Sequence, residues 1–263
     1  MFLGAAGYGL QTQKTLSAWT KRADLTRLSA LAWDGERLQR QSLARFLEAA
    51  PTSSVVLVGD ESLDWAKTSA TAAANIDIVA ADANQLKHTD IAALCLSGAI
   101  ANFRALKRRL IAAGKATTDA GQADLLAALL GLYLQRGAQL PEAMRAALSL
   151  TSGDLAMALL VQTPQGPLLG AAARGSAQLE TAAGENECAF STQTAAFAGG
   201  DFDLVRRAGS GDCVLARPHV LTLIDEHDMI IERALTRAGV AASASCASSA
   251  HKSEAVGAPA AFA

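Results

Sequence analysis

Histidine and cysteine are scarce in this chain, four of each among 263 residues, and their spacing limits what they can do. His88, His219, His227 and His251 never stand three or four residues apart, so no helical pair of imidazoles exists to grip a metal. Cys95, Cys188, Cys213 and Cys246 lack Cys-x-x-Cys spacing, which indicates neither a zinc cage nor a disulfide scaffold. Cys213 and His219 could form a thiolate pair only if the fold joined them, and an inert buried thiol is the expectation for Cys213. The run Asp225-Glu226-His227-Asp228 offers cation ligands, yet it stands between two alternating apolar stretches, as the solvated turn of a hairpin does. Gly4, Gly7 and Gly9 miss the spacing that cradles a dinucleotide, and no Gly-Lys-Ser/Thr follows a glycine-rich run. Gly209-Ser210-Gly211 precedes a strand pattern rather than a helix, and Ser210 is not in a Gly-x-Ser-x-Gly elbow. No metal and no cofactor are expected.

Those residues sit in a chain that is 51% hydrophobic and 18% charged, with mean hydropathy +0.20, a composition that packs a core and excludes wholesale disorder. The formal charge of −2 provides no field to draw in nucleic acid or an anionic membrane. Lys107-Arg108-Arg109 falls within an amphipathic helical pattern and reads as a solvated face. The N-terminus lacks the basic region of a signal peptide, and the apolar run 125–134 is too short to span a bilayer. A soluble protein of a reducing cytoplasm is expected.

The elements that must position any site follow from periodicity. Apolar runs at 2–8, 29–33, 55–58 and 91–96 read as strands, with helical spacing at Leu16, Trp19 and Ala23 and again at Leu43, Phe46 and Leu47. Residues 60–90 carry little periodicity and are expected to be mostly loop. Phe103, Leu106 and Leu110 mark one face of a helix stopped by Gly114. A second helix is predicted over 122–135 with Gly137 as its stop, and a third from Pro141, with Glu142 suiting its N-terminal dipole. Beyond Leu148 the period becomes strand-like: 155–161 and 168–172 flank Thr163-Pro164-Gln165-Gly166 as a hairpin, and short strands follow at 188–190, 213–215, 220–224 and 229–232. Helices clustered between strand groups predict an α+β sandwich, in one domain over 1–236 with a disordered tail over 237–263.

The run Leu96-Ser97-Gly98-Ala99-Ile100-Ala101-Asn102-Phe103-Arg104-Ala105-Leu106 resembles the His-Asn-Gly-Ile-Ile-Glu-Asn-x-x-x-Leu block of class II glutamine amidotransferases, and within them the domain of glucosamine-6-phosphate synthase most closely. The likeness continues through Gln135-Arg136-Gly137, Pro141-Glu142-Ala143, Gly153-Asp154-Leu155-Ala156, the stretch 168–176 and Gly211-Asp212, strongly over 91–215 and weakly before Ile91. It implies the four-layer αββα sandwich of N-terminal nucleophile hydrolases.

It also implies a chemistry whose parts are replaced here. The family's N-terminal Cys, which attacks the glutamine amide with its own amine as base, falls on Phe2, a residue too bulky to allow removal of Met1. The family Arg that pairs with the substrate carboxylate falls on Asp64, followed by Trp65, turning attraction into repulsion. The oxyanion-donating Asn falls on Ser97, although Gly98 could still offer a backbone N–H, and the Asp that holds the substrate ammonium falls on Gln122. No catalytic residue is therefore assigned. The expected function is a non-catalytic amidotransferase-like subunit, a pseudoenzyme that scaffolds or regulates a cytoplasmic enzyme complex with a protein partner and no nucleic acid or membrane. Asp64, Trp65, Ser97, Gly98 and Gln122 would mark the positions of the lost site. The alternatives are an active amidotransferase or amide hydrolase feeding ammonia to a partner synthase, and a small-ligand module using the vestigial pocket.

Overall fold

Alternation along the strands divides the core into two compartments. The computed structural model describes residues 2–7, 28–33, 38–42, 55–60, 64–65, 90–116, 118–163, 166–185, 187–197, 202–218, 220–227 and 229–234. In β7 (Leu155–Thr163), Leu155, Met157, Leu159 and Val161 face one compartment, whereas Ala156, Ala158 and Leu160 face the other. The same division holds in β6 (Asp90–Gly98), with Leu94 and Leu96 on one side and Ala93 and Cys95 on the other. Strands apolar on both faces must be covered on both, and these are.

On the leucine side lie three helices. In α1 (Phe103–Ala112) only Leu106 and Leu110 are buried. In α2 (Gln122–Gln135), Leu125, Leu126, Leu129, Leu130 and Leu134 pack against β6 and against α3 (Leu140–Ser149), which supplies Met144 and Leu148. The sequence stops hold: the Lys115 N–H donates to Leu110 O at 2.8 Å past Gly114 (φ +66°), and the Ala138 N–H to Tyr133 O at 3.1 Å past Gly137 (φ +86°). The third helix begins at Leu140, one residue before the expected Pro141. Asp124 and Glu142 reach back to accept from the Gly121 and Gln139 N–H groups at 2.7 and 3.0 Å, closing the first turns of α2 and α3.

On the alanine side lies another sheet. The first sheet runs β11 (Phe202–Arg207), β9 (Glu180–Gly184), β10 (Glu187–Ser191), β1 (Phe2–Gly7), β4 (Val55–Asp60), β2 (Leu28–Trp33), β3 (Leu38–Ser42). The other runs β14 (Ile230–Ala234), β13 (Val220–Ile224), β12 (Cys213–Arg217), β8 (Gly166–Arg174), β7, β6, β5 (Asp64–Trp65), and every pairing in both is antiparallel. Between the sheets, Ala93, Ala156, Ala158, Ala171, Ala173 and Ala216 of the second sheet meet Phe2, Val55, Leu57 and Phe190 of the first. Small side chains there meet large ones, as close packing of a layer requires. The Phe2 and Phe190 rings meet edge to face, 6.2 Å between centroids and 80° between planes. Gly4 stands opposite Phe190, and a Cβ on Gly4 would run into that ring.

The strands β3, β9 and β11 go beyond the sequence expectations, and β5 lies in the segment read as loop. The helical spacings near Leu16 and Leu43 and the tail over 237–263 lie outside the described residues. The hairpin expected around 164–165 forms, with Thr163 paired to Gly166. Asp225 to His227 form the β13–β14 turn: Asp225 Oδ1 accepts from the N–H groups of His227 at 2.9 Å and Met229 at 2.8 Å. That carboxylate organises a turn, as the flanking alternation implied.

Candidate functional site

Topology gathers the marked positions at one end of the helix-covered sheet. Antiparallel pairing of β5 with β6 sets Asp64 opposite Leu96 and Trp65 opposite Cys95. Ser97 and Gly98, at the end of β6, pair with Ala156 and Leu155. Gln122 opens α2, and its Oε1 accepts from the Ile100 N–H at 2.5 Å. Positions 64, 65, 97, 98 and 122, which lie as much as 58 residues apart in sequence, therefore converge on the turn after β6.

That turn is held by backbone and amide contacts. Gly98 is exposed with φ +97°, and a Cβ there would collide with the Asp154 carbonyl oxygen, so only glycine fits. The Ala99 N–H donates to Asp154 O at 3.2 Å and the Ala101 N–H to Ser152 O at 2.7 Å. Asn102 fastens the same two loops from its side chain, donating through Nδ2 to Leu150 O at 2.9 Å and accepting the Ser152 N–H at Oδ1, 3.0 Å. Next to them, Asp154 Oδ1 accepts the Ser176 N–H at 2.8 Å, and that bond holds its carboxyl below the usual carboxylate range. Asp212 makes the neighbouring turn, accepting the Gly209 N–H at 2.7 Å.

Residue-by-residue reading of the sequence passed over Asn102, Asp154 and Asp212 as individuals. Each belongs to a block that carries the resemblance, and that was the available signal. Their shared role is to satisfy loop N–H groups that strand pairing leaves open.

The chemistry open to this site is narrow. Position 2, where the resemblance places a nucleophile, carries the fully buried Phe2. Its backbone is clasped by the β10 end: the Phe2 N–H donates to Thr192 Oγ1 at 3.3 Å, and the Ser191 hydroxyl donates to Phe2 O at 2.9 Å. Among the described residues the thiols are Cys95, Cys188 and Cys213, all buried. Burial pushes the Cys95 thiol up to about 12, and burial likewise raises Cys188, with help from the neighbouring Glu187 carboxylate. Cys213 donates its S–H to Pro141 O at 3.5 Å, as an inert core thiol would. Ser97 is half-buried, and Gln122 spends its carbonyl oxygen on the turn. Among the described residues, no group of three or more His, Cys, Asp or Glu side chains could hold a metal, and no helix is long and apolar enough to cross a membrane.

No family model and no curated protein matches this chain. Solved structures do. A glutamine phosphoribosylpyrophosphate amidotransferase from B. subtilis, complexed with ADP and GMP, aligns with a TM-score of 0.55 at 17% identity, over 89% of this chain and 48% of that one. An allosteric regulatory enzyme of purine biosynthesis aligns with a TM-score of 0.56 at 16% identity, over 89% and 48%. The chain thus spans about half the length of these proteins and shares its α+β fold with them. That likeness is one of fold and does not single out glucosamine-6-phosphate synthase.

Proposed function

We propose that this chain is an amidotransferase-like subunit that does not hydrolyse glutamine and instead stabilises or regulates a larger cytoplasmic enzyme assembly. The observation that carries the reading is Phe2: its ring is wholly inside the inter-sheet core, against Phe190, where catalysis would need a thiol open to substrate. The other positions agree. Gln122 is neutral where an anion would balance a substrate ammonium, Asp64 is an anion where a cation would clamp a carboxylate, and Ser97 stands in for an amide donor. Asp64, Trp65, Ser97, Gly98 and Gln122 are on this reading the remains of a substrate site, in which the exposed Gly98 keeps its turn for structural reasons.

The likeness of the blocks at 96–106 and 168–176 supports a reading in which the nearest pattern is that of the glucosamine-6-phosphate synthase type. Leu3, Ala5, Val56 and Val58 are buried on the face of the first sheet turned away from the other, which supports a further layer there and hence the four-layer sandwich for the 1–236 domain. A protein partner within that assembly is part of the proposal.

The test is incubation of the native protein with a diazoketone analogue of glutamine, followed by intact-mass measurement and an ammonia-release assay, with native mass spectrometry of the protein drawn from its own cytosol. No adduct, no ammonia and a stable hetero-assembly are expected. Stoichiometric labelling of any residue would replace this reading with that of an active amidotransferase.

A further inference from the structure

Helix α1 is electrostatically out of keeping with the rest of the molecule. From Asn102 to Lys115 the chain carries Arg104, Lys107, Arg108, Arg109 and Lys115 and no acid, whereas the whole chain is −2, so everything outside this stretch sums to −7. One of the five is tied down: Lys107 donates to Ala120 O at 2.7 Å and stands 5.3 Å from the centroid of the Phe103 ring. The other four are exposed, and among the described residues Arg104, Arg108, Arg109 and Lys115 make no ion pair.

Local stability would not choose this arrangement. Arg104 lies in the first turn, where the helix dipole favours an acid and none is present. Arg104 and Arg108 repel at the i, i+4 spacing, and Arg104 and Lys107 at i, i+3. Only Arg109, in the last turn, is at the end the dipole favours. A local rule broken with no compensating ion pair among the described residues favours a contact with another molecule.

We propose that the outer face of α1, with Arg104, Arg108, Arg109 and the following Lys115, is a docking surface for an acidic stretch of a partner protein. This deepens the reading of the chain as a subunit and rests on it. The exposed Ala105, Ala112 and Ala113 between and beside the cations leave the ridge low, so a partner backbone can approach while guanidinium groups fork onto its carboxylates. A nucleic acid fits less well. The helix is 10 residues long, about 15 Å, so a short acidic stretch matches it, whereas a longer polyanion would run past it along a chain whose remaining formal charge is −7. The face also starts directly after the turn at Gly98–Ala101, so the partner would sit at the lip of the former site.

Fluorescence anisotropy of a labelled poly-glutamate peptide against the full chain tests this, with a DNA duplex and anionic lipid vesicles as competitors. Binding at low ionic strength that weakens with added salt is expected. Arg104→Ala/Arg108→Ala should weaken it about tenfold, while the charge-matched pair Arg206→Ala/Arg207→Ala on β11 should change it less than about twofold. The helix pair should melt no lower than wild type, because it relieves repulsion. If it does melt lower, Arg104→Gln/Arg108→Gln, which keeps helix-forming side chains, must show the same loss. Absence of peptide binding, equal loss from both pairs, or tighter binding of duplex or vesicles overturns the proposal. Ammonia release measured on the same samples separates the two readings: glutamine turnover with an intact peptide effect would sink only the non-catalytic assignment.

Discussion

At Gly98 two constraints coincide, a left-handed φ of +97° and a carbonyl oxygen of Asp154 where a Cβ would be. Gly98→Ala is expected to destabilise the protein by about 1–3 kcal/mol, seen as a lower urea midpoint at unchanged m-value. Cys95 gives a pH signature. Burial moves its thiol from the ordinary 9.0 to about 12, so the folded protein keeps a proton that the unfolded chain gives up. The stability contributed by this group is complete below 9.0 and declines as pH rises towards 12. Cys95→Ala should flatten that alkaline decline, and native Cys95 should resist iodoacetamide at neutral pH. Rapid alkylation at Cys95 itself, located by peptide mapping, would mean the thiol is neither buried nor protonated as described.

Between elements, the bond from the Ile100 N–H to Gln122 Oε1 couples the end of β6 to the start of α2. Gln122→Ala should cost about 1 kcal/mol and accelerate amide exchange at Ile100, a change that hydrogen-exchange mass spectrometry resolves. An unchanged exchange rate would remove the tie from the account. The helices and the inner strands were legible in the sequence because leucine spacing and glycine stops state them directly, as at Leu106, Leu110 and Gly114. The strands β3, β9 and β11 were not. Leu-Gln-Arg-Gln-Ser and Glu-Thr-Ala-Ala-Gly hold too few β-branched or aromatic residues to announce themselves, and they are strands because neighbours pair with them. Positions 64, 65, 97, 98 and 122 were marked through the resemblance alone, and strand pairing brings them to the turn after β6. That Gln122 serves the turn, and that Phe2 lies inside the core, depends on contacts across 22 residues or more that no local pattern encodes.

Across the whole molecule, the two compartments of the core differ in kind. The helix side is leucine-rich, whereas the space between the sheets holds many alanines packed with Phe2, Phe190, leucines and valines. They should fail in opposite ways. Leu129→Ala is expected to cost about 2–5 kcal/mol by leaving a cavity under α2, whereas Ala171→Leu should cost about 1–3 kcal/mol by overfilling the inter-sheet layer. Thermal melts of both variants decide it, and a harmless Ala171→Leu would show that the layer has spare room.

The aromatic ring at position 2 also limits what can replace it. A sulfur-bearing side chain there would take most of a buried ring out of a close-packed layer, a loss on the order of 3 kcal/mol against the roughly 5–15 kcal/mol margin of a typical domain. A thiol at that place therefore comes with a weakened core unless other side chains first refill the hollow.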